Sequence, residues 1–224
     1  IVGCGLRTSW HGLSKKITRL KALMPLTIDY FLAPQSPWTY FGHARLTAMA
    51  AAAGAKVRIK PMDLGGQVFP VTGGLPVGQR SPQRQAYRLV ELRRFADHLK
   101  LPLNLHPKFF PVPGDDASRL IIAVDQHDGA DAAMRLCGAL LSAVWADERN
   151  IADHAVLAEL LQEQHLHAAR LEQSKQAGAQ SAYQAYTDEA LKLGVFGAPT
   201  FVVDGELFWG QDRLEFLQRR LQAG

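Results

Sequence analysis

The sequence predicts an α/β protein in which a β-α-β opening and a β-β-α closing flank an all-helical insertion. Three observations carry that expectation. An apolar run of strand length over 26–32 breaks at Ala33-Pro34-Gln35 and leads into Ser36-Pro37 at the head of an Ala-rich stretch. Asp204-Gly205 separates two short apolar runs near the end of the chain. Through most of the middle, apolar residues recur at helical spacing.

Each element has a local cause. Leu26 to Leu32 is apolar and aromatic, and Ser36 with Pro37 supplies an N-cap and a first-turn proline whose missing N–H a helix does not need. That helix runs to about Ala53, where Gly54 stops it, and Val57 to Lys60 alternates as a second strand ending at Pro61. Residues 62–80 are rich in Gly and Pro with little periodicity, so a loop that covers a site is expected there. Ser81-Pro82 opens a helix to about Lys100, and prolines interrupt the extended stretch 101–113. Beyond Gly114, Leu120, Ile121 and Val124, then Leu136, Leu140 and Val144, then Val156, Leu160 and Leu161 each share a helix face. Further helices are expected over 168–175 and 181–193. Asp204-Gly205 turns a hairpin between 200–203 and 206–209, and 211–221 reads as an amphipathic closing helix. The organisation expected is an extension outside the fold over 1–23, an α/β domain from 24–80 and 194–224, and an inserted helical domain over 81–193.

Composition removes several classes of function. The formal charge is +4, yet the acid-free segment 1–23 holds Arg7, Lys15, Lys16, Arg19 and Lys21, which leaves the rest of the chain nearly neutral and without a basic footprint for nucleic acid. No apolar run approaches the roughly 20 residues that cross a membrane, so a soluble, cytoplasmic protein is expected. The cysteines, Cys4 and Cys137, form no Cys-x-x-Cys pair, which argues against disulfide exchange and for a reducing compartment. His165 and His167 have no third ligand nearby in sequence, and the other histidines are scattered, so no metal site is expected.

The chemistry concentrates at the two ends. Strand followed by helix, with a functional group at the junction and a proline heading a later strand, resembles a thioredoxin-like fold, in which the junction usually carries a thiolate stabilised by the helix N-terminus. Here the junction carries Ser36. A hydroxyl of ordinary pKa takes no electrons from a disulfide, but it hydrogen-bonds a sulfur anion brought by another molecule, and glutathione is the expected cofactor. Ser-Pro at a helix start is also a common cap, and Ser36 gains functional weight only together with Ala198-Pro199, which stands where such folds keep a cis-proline. The residue before that proline offers main-chain groups to an extended peptide. Gly210, Gln211, Asp212 and Arg213 head the last helix, where a carboxylate is welcome, and Asp212 there either takes an ammonium or simply complements the helix dipole.

Taken in order, Ser36-Pro37-Trp38-Thr39-Tyr40, Gln79-Arg80-Ser81-Pro82-Gln83-Arg84-Gln85-Ala86-Tyr87, Pro107-Lys108-Phe109-Phe110-Pro111, Val195-Phe196-Gly197-Ala198-Pro199-Thr200 and Phe208-Trp209-Gly210-Gln211-Asp212-Arg213-Leu214 resemble the 2-hydroxychromene-2-carboxylate isomerases. These enzymes belong with the kappa-class glutathione transferases, and the resemblance covers residues 26–222. It implies that Ser36 meets the glutathione sulfur, that Ala198 and Pro199 present main chain to the tripeptide, and that Gly210 to Arg213 hold its γ-glutamyl end. It implies further that a small aromatic carboxylate lies against Thr72, Gln79, Arg80 and Phe109, with Phe109 in place of a tyrosine found in some members and Ala198 where many have valine. A homodimer is implied as well. The activity implied is interconversion of 2-hydroxychromene-2-carboxylate and trans-o-hydroxybenzylidenepyruvate in the breakdown of naphthalene-type aromatics. A kappa-type transferase or peroxidase, and a non-catalytic peptide-binding module, are the alternatives on the same scaffold.

Overall fold

The computed structural model describes residues 26–223; the extension expected over 1–23 lies outside the described residues. The chain opens with β1 (Thr27–Leu32), α1 (Pro37–Ala53) and β2 (Lys56–Pro61). Ser36 caps α1 with its side chain, Pro37 occupies the first turn, and Gly54 ends the helix at φ 61°, a left-handed conformation in which glycine carries no Cβ penalty. After β2 the expected loop contains short helical turns: a π-type turn over Leu64–Val68, α2 (Phe69–Thr72) and a 3-10 turn over Val77–Gln79. Asp63 caps the first of these through the Gly66 N–H at 2.7 Å, a local side-chain bond that sequence periodicity does not register.

The middle of the chain is helical: α3 (Pro82–Leu99), α4 (Asp115–Asp128), α5 (Ala130–Trp145), α6 (His154–Glu163), α7 (Arg170–Gln173) and α8 (Ala177–Lys192). Helix α8 begins earlier than expected and α7 is a single turn. The chain closes with β3 (Thr200–Val203), β4 (Glu206–Trp209), a 3-10 turn over Gln211–Arg213 and α9 (Leu214–Ala223). Asp204 and Gly205 both have positive φ, as a two-residue hairpin turn of the primed type requires. Among the described residues no helix is long and apolar enough to cross a membrane.

The sheet order is β2-β1-β3-β4, with β1 parallel to β2 and antiparallel to β3, and β3 antiparallel to β4. Tyr30 therefore sits opposite Ile59 on one side and Phe201 on the other. Both sheet faces are buried, and the period of two assigns the residues. Ile28, Tyr30, Leu32, Phe201 and Val203 join a large core with Phe41 and Leu46 of α1, Leu120 of α4, Leu136 of α5 and Leu217 of α9. Phe31, Ala33 and Val202 face the opposite way into a smaller core with Val68, Ala190 and Val195. Each such side chain removed from water contributes about 1.5–3 kcal/mol. On the interior strand β1 Asp29 is buried, with Arg58 Nε at 2.5 Å and Lys60 Nζ at 3.0 Å reaching it from the edge strand β2, and Lys60 continues to Glu189 at 2.7 Å. That network joins β1, β2 and α8.

Candidate active site

A cavity of about 990 Å³ opens where the head of α1, the turns after β2, the stripe of α3, the 110–112 segment and the two C-terminal turns converge. Ser36, buried to 8% exposure, borders it. Its Oγ accepts from the Thr39 N–H at 3.3 Å and donates to the Ala198 carbonyl at 3.4 Å. Both contacts lie at the long end of the hydrogen-bond range, so the hydroxyl is weakly committed and turning it toward a stronger acceptor gives up little. Pro37 has no N–H, and the first-turn donors of α1 are the free ends of the helix dipole. A sulfur anion placed there meets both.

The Ala198-Pro199 bond is cis. Ala198 lines the cavity beside Ser36, and the Pro199 carbonyl accepts from the Gly210 N–H at 2.9 Å, which ties the 198–199 corner to the turn that heads the last helix. Gly210 has φ 99° and a Cβ there would overlap Asp212 Oδ1, so only glycine serves. Asp212 and Arg213 pair at 2.7 Å, both about half exposed, and present one negative and one positive group side by side, a match for a zwitterionic amino-acid end. Gln211 is 2% exposed. Its Oε1 accepts from Arg45 Nη1 at 2.8 Å and its carbonyl from the same atom at 3.1 Å, so its side chain locks the turn onto α1. Gly42, whose added Cβ would come 3.1 Å from Gln211 Cβ, leaves the room for that approach.

The expected substrate wall is rearranged. Thr72 and Arg80 border the cavity, while Gln79 and Phe109 stand outside its lining. Gln79 ends the 3-10 turn exposed to solvent. Phe109 lies beneath Lys108, whose Nζ is 5.2 Å from the ring centroid, and the neighbouring Phe110 lines the cavity instead, its ring 4.8 Å from Trp145. Pro199 braces Gly210 and does not line the space itself. Arg94, also a basic residue of α3, pairs with Glu91 at 2.8 Å on the helix surface.

The residues that sequence reasoning missed are Arg88, Phe110, Trp38, Phe95, Phe196 and Trp209. Arg84, Tyr87, Arg88, Glu91 and Phe95 form one stripe of α3 that faces the cavity, a spacing visible in the sequence but masked by its mixed polarity. Phe196 and Trp209 pack at 4.6 Å between centroids and stay about half exposed at the mouth. Gly197 makes that packing possible, since a Cβ there would overlap Trp209 Nε1. The lone described thiol, Cys137, is buried in α5, and burial pushes its pKa well up, so it has no redox character.

This fold, with a hydroxyl at the helix head and a cis-proline opposite, defines a class. Residues 27–222 match the family described as DSBA-like thioredoxin domain, and the chain belongs to that family. The similarity extends to particular members. The chain is 26% identical over 199 residues to a 2-hydroxychromene-2-carboxylate isomerase of Sphingobium xenophagum, covering 88% of this chain and 99% of the relative. It is 25% identical over 202 residues to the protein of the same name from Pseudomonas putida, covering 86% and 93%. A solved structure of selenomethionine 2-hydroxychromene-2-carboxylate isomerase superposes with a TM-score of 0.72 at 24% identity, covering 88% of this chain and 95% of that one. The resemblance read from the ordered motifs is thus borne out, and so is the thioredoxin-like architecture.

Proposed function

We propose that the protein is a glutathione-dependent isomerase that interconverts 2-hydroxychromene-2-carboxylate and trans-o-hydroxybenzylidenepyruvate. The observation that carries this reading is Ser36: a hydroxyl, not a cysteine, stands at the head of α1 with loose hydrogen bonds, beside Ala198 in a cavity that Trp38, Phe95 and Phe110 also line. The names of the sequence relatives support the reaction. About 990 Å³ lies at the upper end of small-molecule sites and leaves room for a tripeptide and an aromatic acid together.

The residues fit glutathione. Ser36 and the first turn of α1 would hold its sulfur, Ala198 its backbone, and Asp212 with Arg213 its charged γ-glutamyl end. The chemistry that glutathione supplies when bound is reversible addition of a thiolate to a conjugated carbon, after which the former double bond turns as a single bond until elimination restores it. Ser36 donates a hydrogen bond that stabilises the sulfur as an anion before addition and after elimination, a preorganised electrostatic effect. Trp38, Phe95 and Phe110 give the flat substrate apolar surface and exclude water from the reacting carbon. The chain itself forms no covalent bond to substrate.

The test is to desalt the purified protein, add 2-hydroxychromene-2-carboxylate and follow its absorbance with and without glutathione. Conversion that requires glutathione is expected. Equal conversion without it removes the cofactor from the reading, and accumulation of a stable conjugate in place of the isomer assigns the site to transfer.

A further inference from the structure

Arg88 has no counter-charge among the described residues. It lies on α3, is 8% exposed, and its Nη2 has no hydrogen-bond partner among them. The guanidinium stacks instead against rings, 5.1 Å from the centroid of Phe110 and 5.6 Å from that of Trp145. Burial, with Arg80 nearby, lowers its pKa to about 10, which leaves it charged at neutral pH. A buried charge without a partner is costly and persists where something else supplies the opposite charge.

The site points to that something. Arg88 borders the cavity together with Arg80, Arg84 and Arg213, against the carboxylates Glu91 and Asp212. Glu91 is taken by Arg94 at 2.8 Å and Asp212 by Arg213 at 2.7 Å, so the cavity carries an excess of positive charge, and Arg88 is the most buried of its charged side chains. The wall that holds Arg88 also touches the catalytic end: Trp145 Nε1 donates to the carbonyl of Gln35, the residue before Ser36, at 3.3 Å.

We propose that Arg88 anchors the carboxylate of the aromatic substrate, an assignment that rests on the isomerase reading and names the group that orients substrate in it. A planar guanidinium against Phe110 receives a carboxylate bidentately and places the attached flat conjugated system along the aromatic wall. Glutathione also carries carboxylates. Its expected partners, however, belong to the 198–199 corner and the 210–213 turn, whereas Arg88 belongs to α3 and the ring pair of the helical segment.

The experiment uses the full-length protein and two probes that do not turn over, trans-2-hydroxycinnamate and its carboxamide, titrated calorimetrically with glutathione present. The wild type should bind the carboxylate about tenfold or more tightly than the amide, as a charge-assisted pair predicts. Arg88→Gln should erase that preference while leaving glutathione affinity unchanged, and should raise KM for 2-hydroxychromene-2-carboxylate more than it lowers kcat. Equal binding of the two probes by the wild type overturns the proposal, as does a preference that survives in Arg88→Gln. Loss of glutathione affinity in the variant with the probe preference intact gives the arginine to the cofactor and overturns it too. Should Arg88→Gln fail to fold, Arg88→Met decides, because it keeps an apolar stem beside Phe110 and removes the charge: a probe ratio equal to wild type sinks the assignment. A wild type that never isomerises, yet prefers the carboxylate through Arg88, separates failure of the functional reading from failure of this one.

Discussion

Ser36 shows how one side chain serves a local and a distant purpose. Its oxygen caps α1 and its proton reaches the Ala198 carbonyl, both at long distance. On the proposed reading, losing the hydrogen bond from Ser36 to the glutathione sulfur would cost about 1.5–3 kcal/mol. Ser36→Ala is therefore expected to slow glutathione-dependent turnover by about one to two orders of magnitude. The acid limb of the pH–rate profile should also move to higher pH, because the thiolate loses stabilisation; an unmoved limb would leave Ser36 only its capping role. Loss of the cap itself costs about 1 kcal/mol, readable separately as a lower Tm. Gly197 is constrained in another way. A methyl group there overlaps Trp209 Nε1, and moving the indole breaks its packing on Phe196 at the cavity mouth. Gly197→Ala should leave Ser36 in place, shift the tryptophan fluorescence and weaken binding of aromatic ligands several-fold.

Helix α1 is held to α5 by a buried histidine. His43 Nε2 lies 2.9 Å from the Met134 carbonyl and must donate to it, so Nδ1 is the acceptor for the Tyr30 hydroxyl at 3.3 Å. Burial lowers its pKa from 6.5 to about 4, so the folded protein keeps it neutral while the unfolded chain takes up a proton. The unfolded state thus binds more protons between pH 6.5 and 4, and stability is lost as the pH falls through that window, by about 3 kcal/mol in total. Urea midpoints measured from pH 7 to 4 should show this slope, and His43→Leu, though destabilised at pH 7, should show a flatter one. The elements themselves were largely legible because their signals are local: Ser36-Pro37 starts α1, Gly54 ends it in the left-handed conformation, and Asp204-Gly205 turns β3 into β4. The site was legible where it coincides with such signals, at Ser36, Ala198 and Gly210. It was hidden where tertiary packing decides. Nothing near Phe109 and Phe110 says which ring meets Trp145, and Arg88 resembles any solvated helix arginine until Phe110 and Trp145 close over it.

At the scale of the whole molecule, the helical segment between β2 and β3 shares its core with the sheet. Ile28, Tyr30 and Phe201 of the strands belong to one continuous apolar cluster with Leu120, Ile121 and Val124 of α4, Leu140 and Trp145 of α5 and Leu160 of α6. The cavity that holds Ser36 on one side and Arg88 on the other exists only while that cluster is intact. Cooperative loss is the consequence: far-UV circular dichroism, which follows the helices, and the fluorescence of buried Trp145 should report one coincident urea transition. A cavity made inside the helical segment should be felt across the sheet. Leu140→Ala, at a fully buried position, should cost about 2–5 kcal/mol and shift both transitions together. Two separated transitions, with the strands surviving loss of the helices, would mean that the sheet keeps a core of its own and that the helical segment docks on it as an independent lid over Ser36.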